Sequence, residues 1–217
     1  QAAGGRIPVI VHAGCINTRD TVELARHAER IGCAGAAAVG PWYFHHGKGD
    51  VQAFYEAMLK AVAPGFPVYL YHNPKFSGYE IGLDVIKSLK EQGLCGIKDA
   101  TFDILKFATY MRELGGDGFD VVLGTESMWL SACALGAQAY IPGLGNAFPE
   151  ICAKMWKEGM AGDFAACRKT QFEVNRLRDV MYLARSTQLA VYTMLEIRGV
   201  VRAYPRQPFL PASEEEK

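Results

Sequence analysis

The chain has 217 residues, half of them apolar and 21% charged, and Lys plus Arg equals Asp plus Glu at 23 each. Without a basic excess there is nothing to meet phosphate backbones, so nucleic acid is not an expected partner. An apolar half supplies a core and excludes disorder, and no uncharged apolar run reaches the roughly 18 residues that a membrane span needs.

In chain order, short apolar runs alternate with stretches of helical spacing. The runs are Ile7–Val11, Ala34–Val39, Phe66–Tyr71, Leu94–Ile97, Phe119–Leu123 and Gln138–Ile141. They are nearly continuous rather than alternating, as parallel strands buried on both faces should be. After the first run, Leu24, Ala28 and Ile31 share one face of a helix over 18–31, with Thr18 or Asp20 as candidate N-cap. Stretches near 50–62, 80–91, 102–114 and 126–135 read similarly. The run starts fall 19 to 32 residues apart, the length of a strand–loop–helix–loop unit. Repeated βα units predict an α/β fold with a parallel sheet, open or closed into a barrel. After Asn146 only helices are expected, over 148–158, 163–184 and 188–198, before Pro205, Pro208 and Pro211 break the chain. Residues 1–147 are read as the βα part and 148–217 as a helical extension of the same domain.

Six cysteines (Cys15, Cys33, Cys95, Cys133, Cys152, Cys167) form no C-x-x-C pair, which excludes the common zinc and thioredoxin spacings. They read as reduced, mostly buried thiols of a cytoplasmic protein. The short start, Gln1–Arg6, does not read as a signal peptide. His45 and His46 read as a solvated loop pair, a metal site being the rarer alternative. No nucleotide loop or metal cluster is visible, so no cofactor is expected.

In parallel βα folds, chemistry gathers at the C-terminal ends of strands. Lys98 ends the fourth run. Burial disfavours the charged form of an amine, and a neutral amine can attack a ketone to form a Schiff base. The ordinary alternative is a lysine that snorkels to solvent. Tyr71 ends the third run, where a phenol can shuttle a proton or simply pack. Tyr43, after the second, could hydrogen-bond that phenol or pack. Glu126 could accept hydrogen bonds from a polyol or cap the next helix. Gly143 and Gly145 permit close backbone approach. Asp99, next to Lys98, should point to the opposite face.

Val9–Gly14, Tyr71–Gly78 (Tyr-His-Asn-Pro-Lys-Phe-Ser-Gly), Gly96–Ala100, Gly136–Gly143 and Pro208–Pro211 together resemble the N-acetylneuraminate lyase and dihydrodipicolinate synthase superfamily, in order and spacing across nearly all of the chain. The resemblance implies a TIM (β/α)8 barrel with extra C-terminal helices, here about six of eight βα units. It also implies a class I, Schiff-base mechanism on pyruvate or another 2-keto acid, usually in a homotetramer. By position, Lys98 matches the Schiff-base lysine and Tyr71 the acid/base. Tyr43 matches the tyrosine that extends the proton relay, often across a subunit interface. Ile141 matches the residue whose carbonyl lies near the reacting ketone.

Departures shape the substrate reading. Dihydrodipicolinate synthases usually carry arginine where Phe76 stands, a guanidinium that grips a carboxylate; Lys75 beside it is a possible point-charge substitute. Sialic acid lyases place an apolar residue there, but of their two adjacent acids only Glu126 remains, Ala100 replaces a threonine, and Gly143 replaces a serine. Fewer polar partners weaken selection for that polyol. The expected function is therefore a lyase or aldolase on pyruvate or a 2-keto-3-deoxy sugar acid, with a dihydrodipicolinate synthase or keto-sugar-acid dehydratase as the alternative. The two βα units that precede Ile7–Ile31 in the family, one carrying its carboxylate-binding loop, have no counterpart here. Six strands cannot close the usual barrel and would leave open edges. Either the chain is a fragment of a longer protein, or the missing units are supplied by something else, or it is not a working aldolase; the last gives the reading of another class, a non-catalytic structural or regulatory paralogue that binds a partner through its open edges.

Overall fold

The computed structural model describes residues 3–202 and 204–216. The chain divides into two compact units, one ending at Gly124 and the other beginning at Thr125.

The first unit is a parallel five-stranded sheet, β1 (Ile10–His12), β2 (Gly35–Val39), β3 (Val68–His72), β4 (Gly96–Asp99) and β5 (Asp120–Leu123), hydrogen-bonded in chain order. Such a sheet winds in one direction with no reversal point, as a barrel does and a doubly wound open sheet does not. Helices α1 (Thr18–Arg30), α2 (Lys48–Ala61), α3 (Pro74–Ser77), α4 (Leu83–Glu91) and α5 (Ile104–Leu114) connect the strands. Ala38, Val68, Leu70 and Ile97 are wholly buried on the helix-covered face. Each large apolar side chain so buried contributes about 1.5–3 kcal/mol. Tyr55 of α2 reaches across to donate to the Ala38 carbonyl at 2.9 Å. The opposite face carries Val39, Tyr71, Lys98 and Val122 in register. Gly96 lets β4 lie between its neighbours: a Cβ there would stand 2.5 Å from the Asp120 carbonyl oxygen.

Two details of the first helix differ from expectation. Its N-cap is Asn17, whose side chain accepts from the Asp20 amide, so neither Thr18 nor Asp20 caps it. Thr21, Ala25 and Ala28 form its buried face, while Leu24 and Ile31 are exposed. Small side chains let the helix sit close on the sheet, and the larger ones are displaced outward. At the edge, Ile7, Val9 and Ile10 are exposed, as expected of an open sheet.

The second unit contains α6 (Trp129–Ala134), a 3₁₀ turn at Leu144–Asn146, α7 (Pro149–Met160), α8 (Phe164–Leu183) and α9 (Thr187–Ile197). The three long helices fall where the spacing predicts them. Trp129, Met155, Cys167 and Val174 are wholly buried at its core. The Trp129 indole donates to the Met155 carbonyl at 3.1 Å and stacks on Tyr140. The sixth apolar run, 138–141, is not a strand of the sheet; only Tyr140 is bridged. The Gln138 carbonyl, which a strand would commit to a ladder, accepts instead from the Trp156 indole at 2.9 Å.

All six cysteines are free thiols, two buried and four half-buried, fewer buried than the sequence suggests. Among the described residues, no helix is long and apolar enough to cross a membrane, and no cluster of three or more His, Cys, Asp or Glu could hold a metal.

Candidate active site

The C-terminal ends of β3 and β4 bring two of the expected residues together. Tyr71 and Lys98 are direct register partners, so their side chains leave the same face of the sheet. The Lys98 Nζ lies 3.8 Å from the centroid of the Tyr71 ring. Both side chains are half-buried. The Tyr71 hydroxyl accepts from Asn73 Nδ2 at 3.2 Å. His12, at the end of β1, stands edge-on to the Tyr71 ring, with centroids 6.0 Å apart. Its Nε2 accepts the Val39 N–H at 3.1 Å, which a protonated ring could not do. Burial first, and the charge of Lys98 second, hold the imidazole below its ordinary value. A neutral His12 therefore faces the amine rather than a competing cation.

The loops are fixed locally. The Tyr79 hydroxyl donates to the Pro41 carbonyl at 2.7 Å, tying the loop after β2 to the segment after α3. Pro74 opens α3 and Gly78 closes it at φ 83°. Tyr43 stands apart from Tyr71: it is 85% exposed, its ring meets Phe44 edge-on, and its φ is 85°. A non-glycine residue at that φ is uncommon and holds a specific side-chain direction. Phe76 is exposed on α3, and so is Lys75.

The remaining candidates belong to the second unit. Glu126 is buried, and it does not cap α6. Its carboxylate pairs with Arg178 Nε at 3.0 Å and accepts the Gly143 N–H at 2.9 Å. The glutamate thus ties the start of this unit to the 141–146 loop. The space around the Gly143 Cα is open, and Ile141 is about half exposed. Gln171, Asn175 and Arg178 lie along one stripe of α8 and bind the backbone at Glu126, the backbone at Ser127 and the Glu126 carboxylate, respectively. The sequence assigns no role to His12, Asn73, Gln171 or Arg178, although His12 and Asn73 both lie in strand-end segments where chemistry is expected.

On the helix side of the same two strand ends lies a second polar group. His72 and Asp99 are register partners and both are buried. Asp99 thus faces away from Lys98, as expected. His72 Nδ1 is 2.9 Å from the Tyr110 hydroxyl, and its Nε2 is 3.1 Å from the Glu80 carboxylate, which Lys106 also pairs at 2.7 Å. Burial holds His72 well below the usual imidazole range. Burial likewise lifts Asp99 to about 6, against the opposing Thr101 hydrogen bonds. A carboxyl raised on folding binds its proton more tightly in the native state, so its contribution to stability falls as pH rises from about 4 to 6. A lowered histidine acts oppositely and costs stability as pH falls through the same range. Asp99→Asn keeps the acceptor for Thr101 and removes only the first effect. Urea unfolding of the variant relative to the parent should therefore improve between pH 4 and pH 7, by up to about 3 kcal/mol. A difference independent of pH would show that Asp99 does not ionise in this range.

A parallel sheet wound in chain order, with an amine and a phenol side by side at the ends of neighbouring strands, defines an α/β barrel-type protein of the kind that hosts strand-end chemistry. The chain belongs to the dihydrodipicolinate synthetase family, whose model matches residues 1–217. The enzymes of this family are class I, pyruvate-dependent and Schiff-base-forming. The chain is 30% identical over 215 residues to a 4-hydroxy-tetrahydrodipicolinate synthase of Phenylobacterium zucineum, covering 99% of this chain and 72% of the relative. It is 29% identical over 219 residues to an N-acetylneuraminate lyase of Mediterraneibacter gnavus, covering all of this chain and 69% of that protein. Among solved structures, a Ruminococcus gnavus sialic acid aldolase with its catalytic lysine mutated superposes with a TM-score of 0.92 at 26% identity. That match covers 99% of this chain and 70% of the other. The α/β class and the barrel winding expected from the sequence are thus those of the family.

Proposed function

We propose that the chain is a Schiff-base-forming lyase or aldolase acting on pyruvate or a 2-keto-3-deoxy sugar acid. The observation that carries this reading is the Lys98 amine held 3.8 Å over the Tyr71 ring at adjoining strand ends. The lysine attacks C2 of the keto acid. Tyr71 protonates the departing hydroxyl of the carbinolamine, and water leaves as the iminium forms. The iminium withdraws the electron pair of the C3–C4 bond; as that bond breaks, Tyr71 phenolate takes the C4 hydroxyl proton and an aldehyde departs. Tyr71 then returns that proton to C3 of the enamine, and water hydrolyses the resulting iminium, releasing pyruvate and the free amine. In the synthetic direction the same steps run in reverse. No separate cofactor is required.

In this reading the exposed Tyr43 extends the proton relay to a neighbouring copy of the chain in a homotetramer. Within the second unit, Glu126 holds the loop that carries Gly143 in place. Phe76 supplies an apolar wall and offers no guanidinium for a second carboxylate, which favours a sugar-acid substrate over the dipicolinate precursor. The aldolase with a catalytic lysine among the solved structures, at 26% identity, supports the same assignment.

The test is covalent. Incubation with pyruvate and borohydride, followed by digestion and mass spectrometry, should place a reduced pyruvyl adduct on Lys98. A folded sample with no adduct would favour the non-catalytic paralogue instead.

A further inference from the structure

We propose that Asn73 is a positioning residue for the Tyr71 phenol, holding its hydroxyl so that the proton points away from the amide. The proposal rests on the Schiff-base reading above and assigns a role within it.

Asn73 is only 5% exposed, and its Nδ2 sits 3.2 Å from the Tyr71 hydroxyl oxygen. Its Oδ1 is buried and has no hydrogen-bond partner among the described residues. A buried amide oxygen without a partner is costly, so its retention calls for a reason. The backbone around it leaves little freedom. The Asn73 carbonyl accepts from the Phe76 and Ser77 amides, each at 3.0 Å, and from the Ser77 hydroxyl at 3.2 Å. Pro74 further disfavours the helical region for the preceding residue, and Asn73 sits at φ −138° and ψ 83°.

With its backbone fixed and its oxygen unpartnered, the amide has the phenol as its hydrogen-bond partner. An Nδ2–H pointing at the phenolic oxygen occupies one lone pair, which turns the O–H away from Asn73. The Lys98 Nζ lies over the face of the same ring, 3.8 Å from its centroid. The same N–H supports the phenolate that forms once the proton has been given up, and a neutral amide does so without placing a second negative charge beside it. Leucine at this position would match the amide in size and pack as well, so packing alone does not account for a half-satisfied buried amide.

The experiment measures the rate at which cyanoborohydride traps the pyruvate iminium on Lys98 in the parent, Asn73→Leu, Tyr71→Phe and the double variant, across pyruvate concentrations, with thermal melts alongside. Asn73→Leu should lower the maximum trapping rate about tenfold, leave the half-saturating pyruvate concentration unchanged, and reach the same final extent of adduct. In the Tyr71→Phe background it should have no further effect, because a residue acting through the phenol is silent once the phenol's hydroxyl is gone. An equal loss in both backgrounds, or an unchanged rate, overturns the proposal while the Schiff-base reading stands. A shift in half-saturation with an unchanged maximum assigns Asn73 to binding and also overturns it. Absence of any adduct in the folded parent removes both.

Discussion

Lys98→Gln should abolish the borohydride-trapped adduct and reduce keto-acid turnover roughly 10⁴–10⁶-fold, the range seen when a covalent nucleophile is removed. Stability should hardly change. Lys98 is half-buried and forms no ion pair among the described residues; its one aromatic contact is the Tyr71 ring. Losing a partly exposed cation–π contact costs about 0.5–1 kcal/mol. Glutamine keeps much of the aliphatic stem that covers the strand end. The variant also removes the positive charge that holds His12 down, so the imidazole should titrate closer to its ordinary value, a change visible by NMR. Full activity in Lys98→Gln, or an adduct that moves to another lysine, would end the assignment. A large fall in melting temperature would point to a structural lysine instead.

The pair is legible in the sequence because both residues terminate apolar runs, and a run buried on both faces leaves its chemistry only at the end. Five of the six runs became strands for that reason. The sixth did not, since an apolar run states that a segment is buried but not which groups its backbone meets. Gln138 met an indole. The face of α1 was misread for a related reason. Periodicity weights large apolar residues, whereas a helix lying close on a sheet buries small ones, here Thr21, Ala25 and Ala28.

The rest of the site was hidden by ordinary appearances. Asn73 reads as a turn residue before proline, and nothing in a sequence tells that one of its amide atoms is buried without a partner. Arg178 is one of four basic residues in α8; Arg168, Lys169 and Arg176 are exposed and only Arg178 is drawn inward. What selects it is its helical spacing from Gln171 and Asn175, a stripe that becomes meaningful only when the segment it faces is known. Glu126 was read as a sugar ligand or a helix cap because either suits a carboxylate after a strand. A guanidinium 52 residues later was not a visible competitor.

That carboxylate gives the largest expected effect on stability. The Glu126 and Arg178 side chains are 3% and 11% exposed, so the pair is almost entirely desolvated. Breaking a buried pair from one side leaves the other charge without its counterion in a poor solvent for it, which costs about 3–5 kcal/mol. Glu126→Ala also strips the Gly143 N–H of its acceptor and leaves a cavity beside α8. The second unit should therefore unfold at a markedly lower temperature or urea concentration. Trp129 and Trp156 both belong to that unit, so their fluorescence reports it. Glu126→Gln keeps an oxygen for Gly143 and should lose less than the alanine variant. Combining it with Arg178→Met removes both charges and should recover much of the loss, because well-packed apolar replacements of a buried pair are often neutral or stabilising. If Glu126→Ala costs under about 1 kcal/mol, the range of exposed pairs, the pair is not buried in solution. If the double variant is no more stable than Glu126→Gln alone, an orphaned Arg178 charge is not the source of that variant's loss.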